Sequence, residues 1–130
     1  MNTNNQPDIE IYVKDTTADE IRGWLEKRLG TLVDEPAKGS IAYFRAERDG
    51  DVIPVRVVKG AVGKAWTCVW LDSPDTPWAD DLACARDCFA VLGKQVRCSA
   101  GNYDELRGDD PDAFIRIDAD GETMISWKTE

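Results

Sequence analysis

The stretch IAYFRAERDGDVIPVRVV, residues 41–58, decides the fold. Asp49-Gly50 at its centre is the strongest short signal for a two-residue hairpin, because both turn positions need positive φ and this pair tolerates it. With those two residues in the turn, Arg48 faces Asp51, and counting outward sets Ala46 against Ile53, Phe44 against Val55 and Ala42 against Val57. These apolar pairs share one face. Arg45 against Pro54 and Tyr43 against Arg56 fall on the other, which reads as solvated. A slip of one residue would turn every apolar side chain to water, so the pattern fixes the register. Pro54 lands at a non-hydrogen-bonded position, where its missing N–H leaves the hairpin ladder intact.

Upstream, Ile9, Ile11 and Val13 alternate with Glu10 and Tyr12, the period of a half-buried strand. Thr17-Ala18-Asp19-Glu20 has the form of a capping box, and Ile21, Trp24, Leu25 and Leu29 then recur on one face, which predicts a helix of about thirteen residues closed by Gly30. The segment containing Pro36 and Gly39 reads as a loop. Residues 1–8 read as a disordered polar tail, and residues 9–128 as a single α+β domain.

Downstream, Gly60 and Gly63 break the chain before Ala65–Leu71, where Trp66, Cys68 and Trp70 alternate with Thr67, Val69 and Leu71. Neither face is charged, which predicts a strand inside the sheet. Residues 72–77 are turn chemistry, with Thr76 expected as the N-cap and Pro77 at the first helical position of a helix reaching Leu92 before Gly93. Val96 begins a short strand. Ser99–Asp112 reads as the longest loop. Ala113–Lys128 forms a second hairpin, in which a three-residue loop over Ala119-Asp120-Gly121 aligns Ile115 with Ile125 and Ile117 with Thr123. Each half runs strand, threonine cap, helix ending Leu-Gly, Asp-Gly hairpin, which suggests a duplicated βαββ unit. The expected architecture is a two-layer α+β sandwich, a mainly antiparallel sheet with two helices on one face, in the order β-α-β-β-β-α-β-β-β with the Val96 strand the shortest.

Composition bounds the function. The chain has 130 residues and is 42% apolar, enough for roughly two thirds of its unfolded surface to be buried on folding. Twenty-five acidic against sixteen basic residues give a net charge of −9. That charge repels phosphate backbones and anionic headgroups, so neither nucleic acid nor membrane is an expected partner. No apolar run approaches the ~20 residues of a membrane-spanning helix. The N-terminal stretch has neither the basic nor the apolar part of a secretion signal, which makes the cytoplasm the expected location.

Cys84 and Cys88, one helical turn apart, flank the apolar stripe of Leu82, Ala85, Phe89 and Leu92, and Cys68 lies among tryptophans. Free cysteine packs as a small hydrophobe. The spacings lack short Cys-x-x-Cys knuckles, so no metal and no cofactor is expected. The chain has no histidine, which removes the usual proton shuttle and every Ser-His or Cys-His nucleophile. The run Cys98-Ser99-Ala100-Gly101-Asn102-Tyr103-Asp104 begins like a phosphate-cradling cysteine loop, but Asp104 stands where an arginine would meet the anion. Asp118-Ala119-Asp120-Gly121-Glu122 fails as a calcium loop, since EF-hand spacing puts Arg116 and Trp127 at the first and last ligand positions. Carboxylate acid–base chemistry stays open.

Trp78 lies off the helical stripe and is expected to be exposed, with Asp75, Asp80 and Asp81 around it as an acidic rim suited to a protein partner with a basic surface. From Thr17 on, helix, three strands, helix and two principal strands in a small acidic chain resemble in outline the type III secretion chaperones. The chain departs from them in its first strand and in lacking a final helix, and no site residue follows from the resemblance. The expectation is a non-enzymatic protein-binding module of adaptor, chaperone-like or regulatory type; the alternative is a small-ligand-binding or carboxylate-dependent catalytic domain.

Overall fold

The computed structural model of the chain describes residues 5–100 and 110–129. Strand β1 (Ile9–Lys14) is followed by helix α1 (Ala18–Leu29), strands β2 (Leu32–Lys38), β3 (Ile41–Arg48), β4 (Asp51–Val62) and β5 (Trp66–Leu71), helix α2 (Asp81–Leu92), and strands β6 (Val96–Ser99), β7 (Ala113–Asp118) and β8 (Gly121–Ser126). The strands form one antiparallel sheet in the order β2-β3-β4-β5-β1-β6-β7-β8. Helix α1 packs on β2 and β3 and helix α2 on β1, β6 and β7, so both cover the same face. The class is the two-layer α+β sandwich that the apolar periods predict.

The β3–β4 register is the one counted from the sequence, with Phe44 opposite Val55 and Ala46 opposite Ile53. Asp49 (φ 53°) and Gly50 (φ 86°) both take the left-handed conformation that a two-residue turn matching the strand twist requires. Helix α1 begins in the expected capping box: the Thr17 hydroxyl accepts from the Glu20 N–H and the Glu20 carboxylate accepts from the Thr17 N–H. Ile21, Trp24, Leu25 and Leu29 are buried against Ile9, Ile11 and Val13 of β1 and their neighbours. Each such aliphatic side chain contributes about 1.5–3 kcal/mol when taken from water.

Three local expectations are corrected. The segment around Pro36 is an edge strand, β2, with only Leu32 buried. Its Pro36 sits in a register irregularity between Glu35 and Lys38, which an edge tolerates because no further strand needs its N–H. Helix α2 starts later than Thr76 predicts: Asp80 is the N-cap, its carboxylate accepting from the Ala83 N–H. Thr76 instead makes a turn, its hydroxyl accepting from the Trp78 N–H and donating to the Trp78 carbonyl. The β7–β8 hairpin has a two-residue turn with Asp118 opposite Gly121, so Ile125 pairs with Phe114 and Ile115 with Met124. Pairing Ile115 with Ile125 assumed that the apolar residues of β8 face the helices; Ile125 faces the other way.

The expected polar tail is tied down from Asn5 onward. The Asn5 amide donates to the Pro74 and Thr76 carbonyls, the Gln6 carboxamide accepts from the Asp81 N–H, and Asp8 accepts from the Trp70 indole. The loop read over Ser99–Asp112 lies for its greater part, residues 101–109, outside the described residues. Along the chain each half reads βαβββ, but the halves join the sheet differently: β2–β4 attach through their last strand to β5, and β6–β8 through their first strand to β1.

Candidate functional site

Strand alternation sends every second side chain to the face away from the helices. On the central strands these are Glu10, Tyr12 and Lys14 of β1, and Trp66, Cys68 and Trp70 of β5. To one side come Arg56 of β4 and Tyr43 of β3, register partners of each other; to the other come Arg97 of β6 and Arg116 of β7, also partners. The face opposite the helices is therefore built of aromatic rings and arginines rather than the solvated polar side chains expected from Tyr43 and Arg56 alone. The exposed large apolar side chains among the described residues, Val33 (43% exposed) and Val52 (52%), fall on it too, by their pairing with Arg45 and Glu47.

Two clusters organise this face. At one end the Arg56 guanidinium lies 4.6 Å from the Trp70 ring centre and 5.7 Å from that of Tyr43. At the other, Trp127, just past β8, folds onto the sheet with its ring 4.7 Å from Trp66, 5.1 Å from Phe114 and 5.3 Å from Tyr12. The Arg97 guanidinium lies 4.6 Å from both Trp66 and Trp127. Such stacking leaves the guanidinium N–H edge free to bind, while aromatic faces offset the charge.

Arg97 and Arg116 place like charges directly across a ladder, an arrangement that destabilises a sheet. Partial burial and Arg116 together push the Arg97 pKa down. The Arg97 Nε donates to the Gln95 carboxamide at 3.0 Å. The Arg116 Nε is buried and 3.3 Å from an Asp118 carboxylate oxygen, but out of line for a hydrogen bond, so it has no acceptor among the described residues.

The patch expected at the start of α2 loses its anchor. Trp78 is 5% exposed. It precedes the helix rather than belonging to it, so the helical wheel that placed it outside the stripe does not apply; its ring lies 5.3 Å from Trp24. Both indoles donate to Asp87, Trp24 at 3.0 Å and Trp78 at 3.3 Å, and Arg28 makes a bidentate pair with the same carboxylate. The Arg28 bond holds the Asp87 carboxyl below its usual range. Asp80 caps the helix, Asp81 accepts from the Glu10 N–H at 3.0 Å, and the Asp75 carbonyl accepts from Arg48. The Asp80 and Asp81 carboxylates are thereby engaged in capping α2 and tying it to β1, while Asp75 takes part through its main-chain carbonyl.

The cysteines are free and buried as expected of packing residues. Burial pushes the Cys68 and Cys98 thiols up to about 12 and raises those of Cys84 and Cys88 as well. A thiol so held is not a nucleophile at neutral pH. Among the described residues no group of three or more Cys, Asp or Glu has the geometry to hold a metal ion.

Sequence reasoning saw the Trp66–Trp70 alternation and read it as interior. It missed Arg97, Arg116 and Trp127, because the register of β6 on β7 spans the long loop and Trp127 lies beyond its strand. The signal available was the absence of charge on both faces of β5: a strand whose second face is aromatic, in a sheet whose described helices α1 and α2 lie on the first, needs a cover. Comparison with protein families, with curated proteins and with solved structures finds no match, so the outline likeness to secretion chaperones carries no function.

Proposed function

We propose that the chain is a non-enzymatic protein-binding module whose binding surface is the face of the sheet away from α1 and α2. The observation that carries the reading is Arg97, which lies against both the Trp66 and Trp127 rings and is set opposite Arg116 across the ladder. The partner that fits is an acidic segment bearing apolar side chains: carboxylates meet Arg56, Arg97 and Arg116 through charge-assisted bonds, and the apolar groups lie on Trp70, Tyr43, Val33 and Val52. Trp78 is buried, so this reading centres on the arginine face and on an acidic partner in place of the basic one expected from the sequence.

Aromatic rings and arginines on a sheet also hold single-stranded nucleic acid. The net charge of −9 favours a protein over a polyphosphate. Four free thiols suit a reducing compartment, and we place the protein in the cytoplasm. The test is photo-crosslinking from Val33 or Val52 in the native cell, followed by binding measurements on the purified partner with Arg97→Glu.

A further inference from the structure

On the helix side, the sheet runs on past the start of α1 at Ala18. There it leaves a cleft of about 550 Å³, within the span of small-molecule sites, about 300–1,000 Å³. Ala42 of β3, Val57 of β4 and Thr67 of β5 line it from the sheet, Ala42 opposite Val57 and Lys59 opposite Thr67. Ala18 and Ile41 close its sides. Small side chains at the floor are what keep the space open.

Both flanking hairpins are irregular at this point. The β2–β3 register shifts between Glu35 and Lys38, and the β4–β5 register between Lys59 and Val62. Gly60 (φ 70°) and Gly63 (φ 65°) provide the left-handed turns that the second shift needs. Lys59 and Lys64, on either side of that irregularity, are the charged groups of the lining. In a chain with twenty-five acidic and sixteen basic residues, this cleft has two ammonium groups in its wall and, among the described residues, no carboxylate. Neither lysine takes part in an ion pair among the described residues.

We infer that the cleft binds a small aliphatic carboxylate, its saturated tail on Ala42 and Val57 and its head between Lys59 and Lys64. Burial of the tail supplies the bulk of the affinity. The lysines, strongly hydrated point charges on flexible stems, select a negative head without demanding planar geometry. The site lies on the opposite side of the sheet from Arg97 and is independent of the protein-binding reading.

The experiment is an amide-resolved NMR titration of the full chain with sodium decanoate below its micelle concentration, with decanol as the uncharged arm. Saturable shifts are expected at the Ala42, Val57 and Thr67 amides, with decanol weaker by about tenfold or more for want of the charge-assisted contacts. Lys59 and Lys64 are exposed, so the double variant Lys59→Glu, Lys64→Glu keeps the fold, which its amide spectrum reports. It should lower decanoate affinity by about tenfold or more and leave decanol binding unchanged. Folded wild type with no saturable shift at these amides would overturn the inference. So would equal affinity for decanoate and decanol, unchanged decanoate binding by the double variant, or shifts confined to the Trp66–Trp127 face.

Discussion

Arg97 and Arg116 face each other directly across the β6–β7 ladder, on the side of the sheet away from α1 and α2. Opposed like charges are a cost to the fold of about 0.2–1 kcal/mol, and the Arg116–Asp118 contact, partly exposed, returns no more than about 1 kcal/mol. Arg116→Gln should therefore change the unfolding free energy by less than about 1 kcal/mol while weakening partner binding. Urea unfolding measures the first. A loss of roughly 3 kcal/mol would show that the pair serves the fold.

Asp87 joins the two helices through the Trp24 and Trp78 indoles and Arg28. Asp87→Ala leaves those donors without their acceptor, and each buried unpaired donor costs about 1–3 kcal/mol, so a loss of about 3 kcal/mol is expected in denaturant unfolding. Asp87→Asn, keeping one oxygen, should cost less. Equal stability of the alanine variant and the wild type would show that the network contributes nothing.

The Asp81 carboxyl is pushed up to about 6, first by burial and further by the Asp8 and Glu10 carboxylates, against the opposing Glu10 N–H bond. The native state then holds this proton more tightly than the unfolded chain, whose aspartate titrates near ~3.9. Stability from this group consequently falls as pH rises from about 4 to about 6. Asp87, Glu122 and Glu20 act oppositely: bonds from Arg28, Arg86 and the Thr17 N–H hold their carboxyls low, and their contribution is lost on further acidification. Asp81→Asn should remove the fall between pH 4 and 6 and be the more stable at pH 7, by on the order of 2 kcal/mol. Thermal unfolding across that range checks it, and an unchanged slope in the variant would contradict the assignment.

Cys88 and Cys84 are fully buried beside Leu82 and Ala85. Cys88→Ala should cost about 1 kcal/mol for the lost packing, and Cys88→Ser about 1–3 kcal/mol for a hydroxyl without a partner. Thiol titration should find the cysteines slow to react until the protein is denatured. Comparable damage by alanine and serine, with rapid native reactivity, would place the thiols elsewhere than in a packed core.

The elements legible in the sequence are those whose signals are local. Asp49-Gly50 with its flanking alternation gave the β3–β4 register to the residue, and Thr17 with Glu20 gave the start of α1. Edge strand β2 was not legible, since LVDEPAK buries only Leu32 and carries no period. Helix α2 was placed too early because Thr76 and Pro77 have cap chemistry while the chain uses Thr76 to fold Trp78 back onto α1. The β8 register and the arginine–tryptophan face share one cause. Period-two reasoning assumes one apolar face and one solvated face, and this sheet has apolar rings on both.

The measurement that tests the protein-binding face most directly uses the chain's own tryptophans. Trp66, Trp70 and Trp127 lie on the face away from α1 and α2, whereas Trp24 and Trp78 are sealed between the helices on Asp87. Indole NMR of the labelled protein, titrated with the partner crosslinked at Val33 or Val52, should shift the first three resonances and leave the other two. Arg97→Glu should weaken that binding by about tenfold or more. The account is contradicted if no protein crosslinks at either position or if RNA is recovered in place of a protein. It is equally contradicted if the partner shifts Trp24 and Trp78 alone, or if Arg97→Glu binds as tightly as the wild type.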